Sequence, residues 1–588
     1  MKKIINQPHT MVEDMCRGLV LAHPELEYNR KYNFIHKRKL NSDKVTLISG
    51  GGSGHEPAHA GFVGQGMLDA AVCGDVFASP SQIQVYQAIK ASAGSQGTLL
   101  IIKNYSGDIM NFKNAAHLAE EDGILVDYIK VDDDIAVEDS LYTVGRRGVA
   151  GTVFVHKIAG AAAEEGKTLP EVKAIAQKAA DHTRSIGFAL TSCTVPAKGT
   201  PTFTLGDDEM EYGVGIHGEP GIRREPLVPA NELAARMVAD LFRDIRSGGH
   251  EVQEAAVLVN GFGGTPLQEL YVLANAVVRE IQSRDAVVIK LFVGNYMTSI
   301  DMAGASVSLL RLDDELKRYL QADCDTPALR VAGPFLPVVP EELSAANQSA
   351  DSPSASYMCE TDPSYARING NAFSLHNIIY LIDKMSEIII RNEVPFCELD
   401  AHAGDGDFGM SIAKGFKQLK RDWPDILQQH TGSIGEFLQA CSLIIMEHCG
   451  GASGPIWGSG FRAAGKYAAG LMELTSSDFA GMMKAVVKGI QDTGERSFGR
   501  GAVLGDKTLM DALIPFAEVW EQGSLQGEDL KLTAIRAAEA AAQGAEHTAS
   551  IVARMGRAGA VGERSLGYPD AGAHALGVIF TELAQAME

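Results

Sequence analysis

The sequence predicts two halves of different class: an α/β N-terminal half made of two α/β sub-domains, and an all-α C-terminal domain. Three observations carry this. Over the first 335 residues, short β-rich runs alternate with helical stretches, the pattern of a layered α/β fold. From Ala372 onward the apolar residues recur at helical spacing and no strand pattern stands out. Between them, Pro337–Pro363 contains SAANQSADSPSAS, whose Ser, Ala and Pro content is that of a linker. The expected boundaries are 1–336, a linker over 337–366, and 367–588. The first half is expected to divide into about 1–182 and 183–336, with the border near Ala180–Thr194.

Strands are expected at Val45–Ser49, Leu99–Lys103, Ile124–Val131, Ala256–Asn260 and Ala286–Val293, each a short run of β-branched and apolar residues. Helices are expected at Phe373–Arg391, Ile434–Glu447, Lys507–Trp520, Asp529–Glu546 and Gly572–Met587, where the spacing is amphipathic.

Composition narrows the function classes. The chain carries 52 Lys and Arg against 74 Asp and Glu, a net charge of −22. That balance disfavours nonspecific binding to nucleic acid or acidic lipid, which needs a basic surface. No apolar run approaches the ~18 residues of a membrane span, and the N-terminus MKKIINQPHTMVEDM has no secretory apolar region. Eight cysteines lie scattered without a CxxC pair, as reduced thiols of a cytoplasmic protein would. The excess is in glycine, 62 of 588 residues, and its clusters mark where backbone bends or nears a ligand.

The densest cluster is Ser49-Gly-Gly-Gly-Ser-Gly-His55-Glu-Pro-Ala-His59, after a strand and before an expected helix start. Ligands of α/β proteins sit there, beyond a strand's carboxyl end. Its literal HExxH is a poor zinc site, because Pro57 between the histidines is tolerable only in a first helical turn. Gly213-Val-Gly-Ile-His-Gly218 matches GxGxxG, but Glu-Pro-Gly follows instead of a helix. Gly460–Tyr467 nearly matches a P-loop, but Tyr467 replaces the magnesium-binding hydroxyl, and the segment reads as helix. His217 lies between glycines that bare its imidazole; a structural and a chemical role are both open on this segment alone. Asp132–Asp134 reads as a solvated turn.

In the helical half, Asp400, Asp405 and Asp407 form DxxxxDxD. An EF-hand starting at Asp405 fails, since Met410 and Phe416 occupy its glycine and glutamate positions. The bland reading is a helix cap with solvated charges; the alternative is a hard cation such as Mg²⁺ on three carboxylates. Further turns, Gly450-Gly-Ala-Ser-Gly-Pro455, Gly505-Asp-Lys-Thr508, Gly556-Arg-Ala558 and Asp570-Ala-Gly572, supply N–H groups, a hydroxyl and an arginine. These are the parts of a nucleotide-phosphate site.

SGGGSGHEPAH, Lys103-Asn-Tyr-Ser-Gly-Asp108 and Gly-Ile-His217-Gly-Glu-Pro-Gly resemble, in this order, the substrate-binding half of dihydroxyacetone kinases. LDAxxGDGDxG, GGASGP, GDKTxxDA and GRAxxxGERSxG resemble their nucleotide-binding half. The likeness spans nearly the whole chain outside the linker, and implies that the all-α domain is a helical barrel. It further implies that a ring nitrogen of His217 captures the substrate ketone as a hemiaminal. Gly52, Ser53 and Gly54 would hold the ketose, and His55, Lys103 and Asp108 would surround the reacting hydroxyl, with Asp108 as general base. Asp400, Asp405 and Asp407 would hold two Mg²⁺ ions against ATP, the co-substrate. Nucleotide contacts would fall on Phe408, Gly409, Met410, Ser411, Ala452, Ser453, Gly501, Leu509, Met510, Arg557, Asp570, Ala571 and Gly572.

Two positions depart from the family pattern. Phe408 replaces a usual His or Thr, which implies an apolar contact; Ala571 replaces a usual Pro, which implies a looser loop. Because both halves share one chain, ATP is favoured as donor over the phosphoprotein used by the family's split versions. The implied activity is phosphorylation of dihydroxyacetone or a related short ketose. The alternatives are an erythrulose kinase, or a non-catalytic ketose sensor; some relatives also cyclise FAD. A homodimer is the implied assembly.

Overall fold

The strands of the N-terminal half build two sheets. In the first, β1 (Leu26–Asn29), β2 (Phe34–Lys37), β3 (Thr46–Ser53), β4 (Ala70–Val76), β5 (Thr98–Lys103) and β6 (Val126–Val131) lie in the order β1-β2-β4-β3-β5-β6. Strands β4, β3, β5 and β6 are parallel, and β1 and β2 add an antiparallel edge. The second holds β7 (Thr183–Ala189), β8 (Glu209–Tyr212), β9 (Arg223–Pro226), β10 (Glu254–Gly261), β11 (Val287–Gly294) and β12 (Gly304–Arg311), in the order β11-β10-β12-β7-β8-β9. It is antiparallel except for the β10–β11 pair. This computed structural model describes residues 2–588 except 138–144, 337, 340–356, 556–558, 560 and 561.

Side-chain alternation explains the layering. Helices α1 (Met11–Ala22), α2 (Gln82–Ser92), α3 (Ser106–Glu121), α4 (Thr152–Glu164), α5 (Leu169–Asp181), α6 (Ala230–Ser247), α7 (Leu267–Gln282) and α8 (Asp314–Gln321) separate the strands. Along β5, Leu99 and Ile101 face one core while Leu100 and Ile102 face another, as the two-residue period of a strand requires. The first of these cores gathers α4, α5 and the inner faces of both sheets. The second packs α2 and α3 on the outer face of the first sheet, and a third packs α6 and α7 on the outer face of the second. The inner helix α4 is buried from Thr152 to Ala163, which its near-continuous run of apolar and small residues permits.

Sequence patterns end β3 at Ser49, yet the strand runs through Gly50-Gly51-Gly52-Ser53. A Cβ at Gly50 would stand 2.5 Å from the Val72 carbonyl, so these glycines admit a neighbouring strand instead of breaking their own. The helix expected after this cluster is absent: only a short 3₁₀ turn, Ala60–Phe62, follows. Nor is Asp132–Asp134 a solvated turn. Asp133 and Asp134 are buried, Asp133 accepting the Val149 and Gly151 N–H groups at 2.8 and 2.9 Å and the Ser185 hydroxyl.

The C-terminal half is helical, with α9 (Leu375–Arg391), α10 (Glu393–Asp400), α11 (Phe408–Arg421), α12 (Trp423–Gln429), α13 (Ile434–His448), α14 (Ser453–Tyr467), α15 (Ser476–Phe498), α16 (Met510–Gln526), α17 (Leu530–His547) and α18 (Ala571–Ala586). Helices α9, α11, α13, α14, α15, α16, α17 and α18 pack each on the next, and α18 returns to α9, closing a ring around one apolar core. One short ladder, Ala372–Ser374 with Glu473–Thr475, departs from the strand-free expectation; three residues are too few to show alternation. The predicted helix start at Phe373 moves to Leu375 because Ser374 caps it, accepting the Asn377 N–H. The chain divides into two compact units, Met1–Glu342 and Leu343–Glu588. No helix among the described residues is long and apolar enough to cross a membrane.

Candidate active site

In the first unit, the predicted substrate residues converge at the carboxyl ends of β3 and β5. Lys103 closes β5, and Asp108 lies in the first turn of α3. Both reach over Gly51, where a Cβ would stand 3.3 Å from Asp108 Oδ2 and 3.4 Å from Lys103 Nζ. Gly52, Ser53 and Gly54 pass beside them, but the Ser53 hydroxyl is turned away and donates to the Gly74 carbonyl at 2.7 Å. Only the backbone of Ser53 is therefore left to face a ligand.

The two histidines meet here from opposite ends of the unit. His55 is buried, and its Nδ1–H donates to the Thr298 carbonyl at 2.9 Å. That bond fixes the tautomer and leaves the Nε2 lone pair facing His217 Nε2, 3.3 Å away. The His217 ring meets Tyr105 at 4.5 Å, His55 at 4.7 Å and Phe77 at 5.3 Å, each edge-on. Its loop is set by a charge network: the His217 N–H donates to Glu219 at 2.9 Å, and Arg147 reaches Glu219 at 3.0 Å, Asp134 at 2.7 Å and the Gly213 carbonyl at 2.9 Å. His59, second histidine of the HExxH string, faces His156 instead, at 3.0 Å. The string is no metal motif, because its two imidazoles point to different partners.

Burial, with the Lys103 charge behind it, holds both His55 and His217 well below the ordinary histidine range, so both are neutral at pH 7. Neutral imidazole is the nucleophilic form. Burial lifts Asp108 above the usual carboxylate range against the pull of Lys103 and the Ser79 hydroxyl. Burial likewise lowers Lys103, opposed by Asp108, Asp133 and Glu56. Lys103 Nζ and Asp108 Oδ1 are buried with no hydrogen-bond partner among the described residues. Such a pair suits a bound hydroxyl, which can accept from the ammonium and donate to the carboxylate.

In the second unit, Asp400 ends α10, and Asp405 and Asp407 occupy the loop before α11. One oxygen from each lies within 4.8 Å of the others. Burial first, then Asp405 and Asp407, raise Asp400, while backbone N–H groups of Phe408 and Gly406 oppose them. Three converging carboxylate oxygens fit a hard divalent cation, whose charge relieves their repulsion. Beside them opens a pocket of about 200 Å³. Asp400, Asp407, Phe408, Ser411, Ala452, Ser453, Leu509, Asp570, Ala571 and Gly572 line it, as do Gly450 and Gly451 at the N-terminus of α14. A helix N-terminus offers unpaired N–H groups to phosphate.

Four predicted nucleotide contacts lie elsewhere. Gly409 packs on α10, where a Cβ would stand 1.9 Å from the Glu393 carbonyl. Met410 opens onto a separate groove with Lys414, Lys417 and Arg421. Gly501 lies against Gln491, and Met510 is buried in the helical core. Arg557 falls outside the described residues. Phe408 packs on Phe396 at 6.1 Å. Beside Ala571, Asp570 caps α18 through the Ala573 N–H, and the Asp570 N–H donates to Thr548 at 2.8 Å. Burial lifts Asp570 to about 7.

Sequence reasoning missed the supports. Thr298, Arg147 and Glu219 orient the histidines, and only Glu219 sat inside a quoted motif. Lys507, within Gly-Asp-Lys-Thr, donates to the Ile551, Ser565 and Tyr568 carbonyls and so joins those turns. His402 and Tyr568 stack at 3.7 Å, joining the carboxylate loop to the loop before α18.

Comparison with known proteins agrees with this division. Residues 17–328 match the Dak1 domain and residues 402–585 the DAK2 domain. The D-erythrulose kinase of Mycolicibacterium smegmatis is 34% identical over 590 residues, covering 100% of this chain and 99% of the relative. The dihydroxyacetone-binding subunit DhaK of a PTS-dependent dihydroxyacetone kinase from Listeria innocua is 52% identical over 318 residues, 54% of this chain and 95% of the relative. Among solved structures, the dihydroxyacetone kinase of C. freundii in complex with AMP-PNP and Mg²⁺ superposes with a TM-score of 0.59 at 31% identity, covering 99% of both chains. The match across both units defines the class of protein, a kinase-type phosphotransferase. The chain belongs to the dihydroxyacetone kinase family, with Dak1 and DAK2 domains fused in one polypeptide.

Proposed function

We propose that this chain is an ATP-dependent kinase that phosphorylates a terminal hydroxyl of dihydroxyacetone, or of a closely related short ketose, held as a hemiaminal on His217. The observation that carries the reading is the neutral His55–His217 pair beside Lys103 Nζ and Asp108 Oδ1, both buried without a hydrogen-bond partner among the described residues. A ring nitrogen of His217 adds to the ketone carbon. The carbonyl π pair moves to oxygen, and the proton leaving the imidazole is delivered there, with His55 within reach to relay it. Polyols without a carbonyl are not captured. Asp108 then takes the proton of the terminal hydroxyl, whose oxygen attacks the γ-phosphorus of ATP as the bond to the β-phosphate oxygen breaks. Asp400, Asp405 and Asp407 would hold Mg²⁺, two ions in this reading, which supply charge neutralisation for the phosphoryl group. The nucleotide would lie in the pocket from Ala452 to Gly572. A homodimer in the cytoplasm completes the proposal.

A second reading, an erythrulose kinase, is favoured by the full-length likeness to a D-erythrulose kinase. One screen tests both: coupled ATP turnover with Mg²⁺ over dihydroxyacetone, glyceraldehyde and both erythrulose enantiomers. Turnover with at least one ketose is expected. If none of them drives ATP consumption, the kinase reading is wrong, and a ketose-binding protein without turnover takes its place.

A further inference from the structure

Five described non-glycine residues have left-handed backbone, and three of them, Phe77, Ile300 and Lys507, flank the two candidate sites. Phe77 and Ile300, with φ of 58° and 57°, stand together at the His55–His217 pair. Bulky and β-branched residues avoid this region on steric grounds, and a fold keeps one there only when its surroundings over-determine it.

Here the ligand loop itself fixes both. The Phe77 N–H donates to the Ser53 carbonyl at 2.9 Å, and the Ile300 N–H to the next carbonyl, Gly54, at 2.8 Å. Their side chains close on Gly54 from two directions. A Cβ at Gly54 would stand 2.8 Å from Phe77 Cε1 and 3.2 Å from Ile300 Cγ1. The Phe77 ring stacks on His55 at 5.2 Å and meets His217 edge-on at 5.3 Å. Both side chains are partly exposed while His55 is buried, so they stand at the mouth and not in the core.

We propose that Phe77 and Ile300 form the specificity-determining rim of this site and set how many carbons a ketose carries beyond its carbonyl. The proposal rests on the ketose-kinase reading. A group added on the Phe77-facing edge of the His217 ring lies within van der Waals reach of the Phe77 ring, the two centroids being 5.3 Å apart. In this proposal the group that follows the captured carbon meets the apolar rim that Phe77 and Ile300 form over Gly54. Three-carbon and four-carbon ketoses differ by one CH(OH) unit at that point. A rim of fixed apolar side chains discriminates such a difference by about 10- to 200-fold.

The test uses Phe77→Gly and Ile300→Gly, since glycine accepts the left-handed backbone and keeps the bonds to Ser53 and Gly54. The readout is the ratio of kcat/KM for erythrulose to that for dihydroxyacetone. It is expected to rise about tenfold or more in Phe77→Gly and several-fold in Ile300→Gly. The KM for Mg·ATP should not change, and Phe77→Tyr, which keeps the ring, should hold the original ratio. Ratios within twofold of the unaltered chain in both glycine variants would overturn the rim, even if both ketoses were used more poorly. Calorimetric binding of the two ketoses without ATP gives the same ratio independently of turnover. An unaltered chain that binds both ketoses but transfers no phosphate defeats the kinase reading, while its binding ratio still decides the rim.

Discussion

At the residue scale, the proposed chemistry rests on groups whose charge state the fold has shifted. Replacing His217 with Ala should lower ketose-dependent turnover at least ~100-fold, while nucleotide binding, read by fluorescence titration, stays unchanged. The pH profile follows from the directions of the shifts. Asp108 must be ionised to accept a proton, and its pKa is raised, so activity falls as pH drops through that raised value. His55 and His217 are lowered below the ordinary histidine range, so neither adds an acid limb near pH 6.5. The expected kcat/KM profile has a single acid limb above the usual aspartate value of about 3.9, measured between pH 4.5 and 8. In the second unit, Asp405→Asn removes one of three converging oxygens. It should raise the Mg²⁺ concentration needed for half-maximal turnover at least ~10-fold, read by metal titration at fixed ATP. These residues were legible in the sequence because each lies in a short, ordered motif. Thr298 was not, since a carbonyl acceptor leaves no mark in side-chain identity.

At the element scale, turns and loops are held by buried charges that the sequence disguises. Asp133 and Asp134 look like a solvated acidic run, yet one caps the start of the α4 segment and the other anchors Arg147. Nothing local distinguishes a buried acidic run from an exposed one, because the partners come from residues 147–151 and 185. Arg147 links β6's end to the His217 loop through a planar fork. Arg147→Lys should therefore fail to restore the geometry. We expect kcat/KM for ketose to fall while KM for ATP holds, and Arg147→Ala to cost about 3–5 kcal/mol of stability in denaturant unfolding. Regular elements were the easier part: β5, β6, β10 and β11 and four of the five named helices stand within a few residues of their expected positions, while the helix expected to end at Trp520 runs on to Gln526. Strand β3 and the missing helix after it were misread for one reason. Glycine signals a turn in sequence, whereas here it admits the Val72 backbone.

At the scale of the whole molecule, the two units have separate cores, three clusters in the first and one in the second. Each should answer to its own ligand. In scanning calorimetry, dihydroxyacetone at 100 times its Kd should stabilise the Met1–Glu342 unit by about 2.7 kcal/mol, and Mg·ATP should act on the other. A single transition shifted equally by either ligand would show the units unfold as one. The division was visible in the change from alternating to helical periodicity near Ala372, whereas the closed ring came only from the family resemblance, because ring closure pairs α9 with α18 across the length of the unit. The left-handed pair at the first site also bears on redesign. A stability-guided search would replace Phe77 and Ile300 with glycine or asparagine, since a relaxed backbone there is worth about 1 kcal/mol or more per position. Such a protein would lose the apolar contacts both side chains make with the central core and, on the rim proposal, part of its discrimination. Backbone comfort and discrimination between ketoses thus pull in opposite directions at these two positions.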